Sequence, residues 1–300
     1  MPTDLQPNKD NRISRFPGTK PGEAGVKRTL ADLEAAVQGT KESARRLQKR
    51  QALLPQLSKE AANPWERYQK SFKINQAGSG FIVHANDETF REGVLKAVKT
   101  SKGELSKIIN SPHRNFVHLH EALYDDGHIF FVYEVMDISL AQIFSSPLGR
   151  LQLFEVAAFS KEILAGVQHI HDSLKITHGD LTSNNILLSV TGATKIANIG
   201  TSMLENRDTR DSQEDVQALG QIIVECLEPS TFLKEGKSLL KDWHSHVSNF
   251  VESTKSDSAK KLMKHDFLQL SPGPSCLKPY IRFGREVAAK EVEVIEVRGV

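Results

Sequence analysis

The sequence has only two cysteines in 300 residues, Cys226 and Cys276, which excludes a disulfide framework and a cysteine-rich zinc module. No apolar run approaches the roughly 20 residues that a membrane-spanning helix needs. Behind Met1-Pro2-Thr3-Asp4 there is no apolar leader, and position 2 is not the glycine that myristoylation requires. An excess of one charge is lacking too. The 39 Lys and Arg face 37 Asp and Glu, for a net +2, so composition points to neither nucleic acid nor a membrane as the main partner. These absences lead us to expect an intracellular chain, cytoplasmic or nuclear, in a reducing compartment.

What is present is ordinary for a globular protein: 39% hydrophobic and 25% charged residues, in a chain long enough to bury a sizeable core. The charge is unevenly spread. Residues 1–64 carry 12 Lys and Arg against 7 Asp and Glu, and the other 236 carry 27 against 30. Residues 1–28 are polar and rich in Pro and Gly, which predicts a disordered basic tail. Residues 29–62 predict an amphipathic helical extension, with Leu30, Leu33 and Val37 at helical spacing. Its basic cluster, Arg45, Arg46, Lys49 and Arg50, reads as a solvated face or as a contact for an acidic protein partner.

From about Trp65 the texture changes. Residues 81–83, 94–98 and 129–133 read as short strands, with a short helix over 104–109. Residues 151–172 carry apolar groups on several sides, the mark of a buried helix. Two short strands follow, 185–190 and 194–197, across a Thr191-Gly192 turn. A second buried helix starts near Asp215, with Leu219, Ile222, Ile223 and Cys226 on one face. A helical stretch from 239 to about 268 closes this region. Strands followed by helices predict an α+β, two-lobed fold. The segment 271–300 is expected to be a poorly ordered tail.

The most specific segment is His178-Gly179-Asp180-Leu181-Thr182-Ser183-Asn184-Asn185-Ile186. It resembles the catalytic loop of protein kinases, in which Asp180 would be the catalytic base and Asn185 a magnesium ligand. The resemblance extends over 66–270 and implies a bilobal kinase-like fold with a small β-rich N-lobe, a helical C-lobe and a shortened activation segment. Under it, Gly78 and Gly80 belong to the phosphate-covering loop, and Ala97 and Lys99 to the strand that carries the ATP lysine. Glu104 is that lysine's partner. Glu134 and Met136 belong to the hinge, Tyr133 guards the adenine pocket and Leu187 is its floor. Asp215 braces the catalytic loop, and His178 stacks with Ile199, Leu119 and Ile108.

The same resemblance exposes departures. Asn198 stands where the family has its metal-binding Asp; it can offer one neutral oxygen but no charge, which suits Mg²⁺ poorly. Val83 replaces the third loop glycine, Gly179 the loop arginine and Thr182 the loop lysine. Only 17 positions separate Asn198 from Asp215, with no Ala-Pro-Glu between them. Parts that position a peptide substrate are lost, while parts that hold the fold remain. The pattern implies a pseudokinase acting as scaffold or regulator, with ATP as its candidate ligand and Mg²⁺ disfavoured. The alternative is an unconventional ATP-dependent phosphotransferase retaining Lys99, Asp180 and Asn185.

Overall fold

In the computed structural model, which describes residues 57–145, 151–205, 212–228 and 245–288, the described part begins with strands. They are β1 (Ser58–Ala61), β2 (Tyr68–Asn75), β3 (Ser79–Ala85), β4 (Glu92–Lys99), β5 (Leu119–Asp125) and β6 (His128–Tyr133). They form one sheet in the order β1-β5-β6-β4-β3-β2. A one-turn helix, α1 (Pro64–Arg67), links β1 to β2 and is capped by the Asn63 side chain. Asp126 (φ 41°) and Gly127 (φ 72°) join β5 to β6, the two left-handed residues that a tight hairpin demands.

β1 runs parallel to β5, whereas the other neighbours in the sheet are antiparallel. The end of the helix expected to reach residue 62 is a strand instead: Ser58–Ala61 gives its backbone to the open edge of β5, and Lys59 Nζ donates to the Ile108 carbonyl at 2.6 Å. Residues 1–28 and 29–56, expected to be a tail and a helix, lie outside the described residues, as does 289–300. The helix expected over 104–109 is a 3₁₀ turn, Lys102–Lys107. Six residues of 3₁₀ geometry are too few to make a lobe-bridging helix.

Beyond residue 137 the chain is mainly helical. α2 (Leu140–Phe144) starts from a Ser139/Gln142 capping box. α3 (Leu153–His169) is the central helix, with Ala157, Phe159, Ile163, Leu164 and Val167 all buried. Gly166 lets it lie against Ile196, since a Cβ there would meet Ile196 Cδ1 at 2.7 Å. A π-helical turn, Ile170–Leu174, ends at left-handed Lys175 (φ 58°). β7 (Ile138–Ser139), β8 (Ile186–Leu188) and β9 (Thr194–Ile196) form a small sheet under the junction of the lobes. Then come α4 (Ile199–Glu205), α5 (Ser212–Leu227), α6 (Ser245–Ser253) and α7 (Ala259–Leu262). The result is the two-lobed α+β architecture of the kinase-like resemblance, with one main core running through both lobes.

The segment expected to be a loose tail is built into this core as far as it is described. A 3₁₀ turn, Pro274–Leu277, leads into α8 (Lys278–Ala288). Leu277 and Ile281 are fully buried, each contributing about 1.5–3 kcal/mol. Arg285 pairs with Asp137 at 3.1 Å. The sparse apolar residues of 271–288 conceal this, because only one face of α8 is buried. Among the described residues no helix is long and apolar enough to cross a membrane.

Candidate functional site

The loop between the π-helical turn and β8 is held by one buried carboxylate. Asp215, near the start of α5, accepts from the His178 backbone N–H at 2.7 Å and the Gly179 N–H at 2.9 Å, and bonds His171 Nε2 at 2.8 Å. Burial pushes the Asp215 pKa up, but these three donors outweigh it and hold the carboxyl below its ordinary range. Gly179 has φ +76°, a left-handed conformation that arginine would adopt only with strain. His178 Nδ1 accepts from the Asp180 N–H at 3.3 Å. Its Nε2 therefore carries the proton, which it donates to the Ala197 carbonyl at 2.9 Å. His178, Ile108, Leu119 and Ile199 are all buried, the last three within the main core.

Asp180 is exposed and is oriented by Asn185. Asn185 Nδ2 donates to the Asp180 carbonyl at 2.6 Å and to its Oδ2 at 2.9 Å. That leaves Asn185 Oδ1 facing Asn198, whose Nδ2 donates to it at 3.0 Å. The same Nδ2 donates to the Ala77 carbonyl at 2.9 Å, and Asn198 Oδ1 accepts from Lys96 Nζ at 2.8 Å. The Asn198 amide orientation follows from its partners: a cation must meet the oxygen and two carbonyl oxygens must meet the NH₂. Asn198 sits at φ +62°, a left-handed position that asparagine tolerates better than most residues.

The cleft lysine is thus Lys96, three residues before the expected Lys99. Side chains alternate along a strand. Val94 and Lys96 line the cleft, while Ala97 and Lys99 are exposed, and Leu95 packs on the outer face with Tyr68, Val83 and Val132. Lys99 pairs in register with His128 at the far end of β4. Glu104 does not serve a cleft lysine: it pairs with Lys107 at 2.6 Å. Lys96 Nζ is bonded to neutral oxygens, Asn198 Oδ1 and the Ala77 carbonyl. Burial pulls its pKa down to about 8.

The hinge is pinned from both lobes. The Glu134 N–H donates to the His118 carbonyl at 2.9 Å. Glu134 Oε1 accepts from the His118 N–H and pairs with Lys195, so the carboxylate is already engaged. Tyr133 is buried, and its hydroxyl accepts from the Gly200 N–H at 3.2 Å. Burial raises its phenol pKa far above normal. Gly200 could hardly be anything else: a Cβ there would meet Phe131 Cε1 and Tyr133 Oη at 2.7 Å.

Gly78 and Gly80 flank the β2–β3 corner but leave no open cradle beneath it. Ala77 (φ 52°) and Gly78 (φ 96°) turn left-handed, and Gln76 and Ala77 are buried. Gln76 Nε2 donates to the hinge carbonyl of Met136 at 3.4 Å. The space enclosed by Gln76, Val94, Lys96, Tyr133, Leu187 and Asn198 is a cavity of about 10 Å³, room for no more than about one water. The resemblance makes ATP the candidate ligand here and disfavours Mg²⁺, and the residues present fit neither. The purine space is filled, the carbonyl oxygen of Asn185 is bonded to an amide, and Asn198 brings no charge. The sequence reading missed Lys96, Gln76, Ala77 and Lys195. No local pattern marks any of them, because β4 is buried on both faces around Val94 and Leu95.

Comparison with known proteins agrees with the fold. The family model for the protein kinase domain matches residues 85–218, from the end of β3 into α5. The chain is similar to serine/threonine-protein kinase ste20 of Emericella nidulans, 25% identical over 290 residues, covering 76% of this chain and 33% of that protein. Serine/threonine-protein kinase MST20 of Pyricularia oryzae is 25% identical over 283 residues, with 76% and 31% covered. Cyclin-dependent kinase 17 of Caenorhabditis elegans is 28% identical over 120 residues, with 40% and 18% covered. The chain therefore spans a third or less of the length of these relatives.

Proposed function

We propose that this chain, a member of the protein-kinase-like superfamily, works as a pseudokinase: a kinase fold used for regulation or scaffolding rather than phosphoryl transfer. One observation carries the reading. The Asn198 amide bridges Asn185 Oδ1 and the Ala77 carbonyl while accepting from Lys96, so three groups that would serve metal and phosphate satisfy one another. Losing a charged group at such a centre commonly costs on the order of 10²–10³ in rate. The 3₁₀ turn at Lys102–Lys107 and the start of α4 directly after Asn198 also support it. They leave little chain with which to present a peptide substrate.

The retained Asp180–Asn185 pair supports the second reading, a residual ATP-dependent phosphotransferase. On either reading we place the protein inside the cell, in cytoplasm or nucleus, acting through a protein partner, with the basic cluster Arg45, Arg46, Lys49 and Arg50 as the part suited to an acidic one. The test is a thermal melt of the full chain with ATP, with and without Mg²⁺ or Mn²⁺, together with ADP release. The expected result is no metal-dependent stabilisation and no turnover above that of Asp180→Ala. Metal-dependent stabilisation, with turnover lost in Asp180→Ala, would overturn the pseudokinase reading in favour of the second.

A further inference from the structure

The corner between β2 and β3 reaches into the cleft and makes polar contacts there. Gln76 is 4% exposed and Ala77 6%, although Asn75, Gly78 and Ser79 beside them are exposed. The Gln76 carboxamide donates to the Met136 carbonyl, the hinge acceptor that faces the cleft. Its own Oε1 is buried without a hydrogen-bond partner. One residue on, the Ala77 carbonyl accepts from both Lys96 Nζ (2.5 Å) and Asn198 Nδ2 (2.9 Å). Ala77 adopts φ +52°, which disfavours any residue with a Cβ. The conformation persists because its carbonyl is bonded twice and its methyl is packed in the main core.

We propose that Gln76 and Ala77 form an intramolecular plug that occupies the purine space of this cleft. The planar carboxamide takes the hinge contact, and the Ala77 carbonyl takes the lysine and the amide. The plug rests on the pseudokinase reading for the meaning of the cleft, but it adds a cause: the site is closed by the chain itself at its purine end as well as at the metal residues. Shortening Gln76 then creates room for a flat, metal-free purine.

Two measurements on the full chain test this. In EDTA, calorimetric titration with adenosine should give at least tenfold tighter binding to Gln76→Ala than to the natural chain. Equal affinities in the two folded proteins would overturn the plug. The second measurement covers the case in which Gln76→Ala fails to fold. In a Cys276→Ser background, Ala77→Cys should react with a maleimide at least a hundredfold more slowly than Ser79→Cys. Comparable rates would overturn the plug. The two failures are distinguishable: fast labelling without turnover would sink the plug and leave the pseudokinase reading standing, whereas metal-dependent ATP turnover would sink the pseudokinase reading and the plug with it.

Discussion

Asn198 Nδ2 donates to Asn185 Oδ1 across 3.0 Å, so the two residues expected to share a metal ion share a hydrogen bond. The contact explains why the amide cannot simply be exchanged for a carboxylate. Asn198→Asp would remove both donations and set a negative oxygen against Asn185 Oδ1 and the Ala77 carbonyl. The cost should be about 1–3 kcal/mol for the buried Asn185 Oδ1 left unpaired, partly offset by a charge pair with Lys96. Denaturant titration should show the loss, and melts should show no rescue by Mg²⁺.

Asp215 makes a sharper case, because all its partners are donors. In Asp215→Asn an NH₂ must face an N–H. We expect a loss of about 1.5–3 kcal/mol for each bond to a charged group removed. Amide exchange at His178 and Gly179 should accelerate, since their N–H groups lose their acceptor.

Alkaline stability should report Lys96. Its folded pKa of about 8 lies below the 10.5 of a free lysine. Between those values the unfolded chain holds more protons, so this group's contribution grows as pH rises from 8 to 10.5 and is lost as pH falls back through 8. Burial of Tyr133 and Cys226 raises their pKa values and works in the opposite direction. The readout is therefore the difference between the natural chain and Lys96→Met in chemical denaturation across that range. Parallel curves would contradict the assignment.

The acid side should be governed by histidines. Burial, with the neighbouring His169 and Arg114 adding to it, lowers His113 to about 4. Burial, with His118 and Arg91 adding to it, does the same to His120. Both titrate near 6.5 when unfolded, so stability present above pH 6.5 should drain away as pH falls towards 4. His120 Nδ1 has no hydrogen-bond partner, so His120→Phe should flatten the acid slope at little cost near neutral pH. A melting series from pH 4 to 7 would show it.

The architecture was legible in the sequence where long-range demands and local pattern agree. His178, Asp180, Asn185 and Asp215 sit in a loop and at a helix start whose spacing the chemistry fixes, and the structure brings them together. The lysine was misplaced because β4 is buried around Leu95 on one face and Val94 on the other. Hydrophobicity therefore gives no parity there, and the string Ala97-Val98-Lys99 resembles the family pattern by itself. Ser58–Ala61 failed for a related reason: four mixed residues carry no strand period of their own, and their pairing partner lies about sixty residues away at Glu121–Tyr124. The hinge contact of Gln76 was invisible, since no local rule says which side chain of a hairpin corner turns inward.

That parallel pairing has a practical side. β1 covers a flank of β5 that nothing else in the sheet covers, and it does so from near the start of the described chain. A recombinant fragment begun at residue 62 would keep the cleft residues but bare the backbone of Glu121–Tyr124. Such an unpaired edge recruits strands from other molecules. Poor solubility of that fragment would then reflect a missing cover strand, with the cleft itself intact.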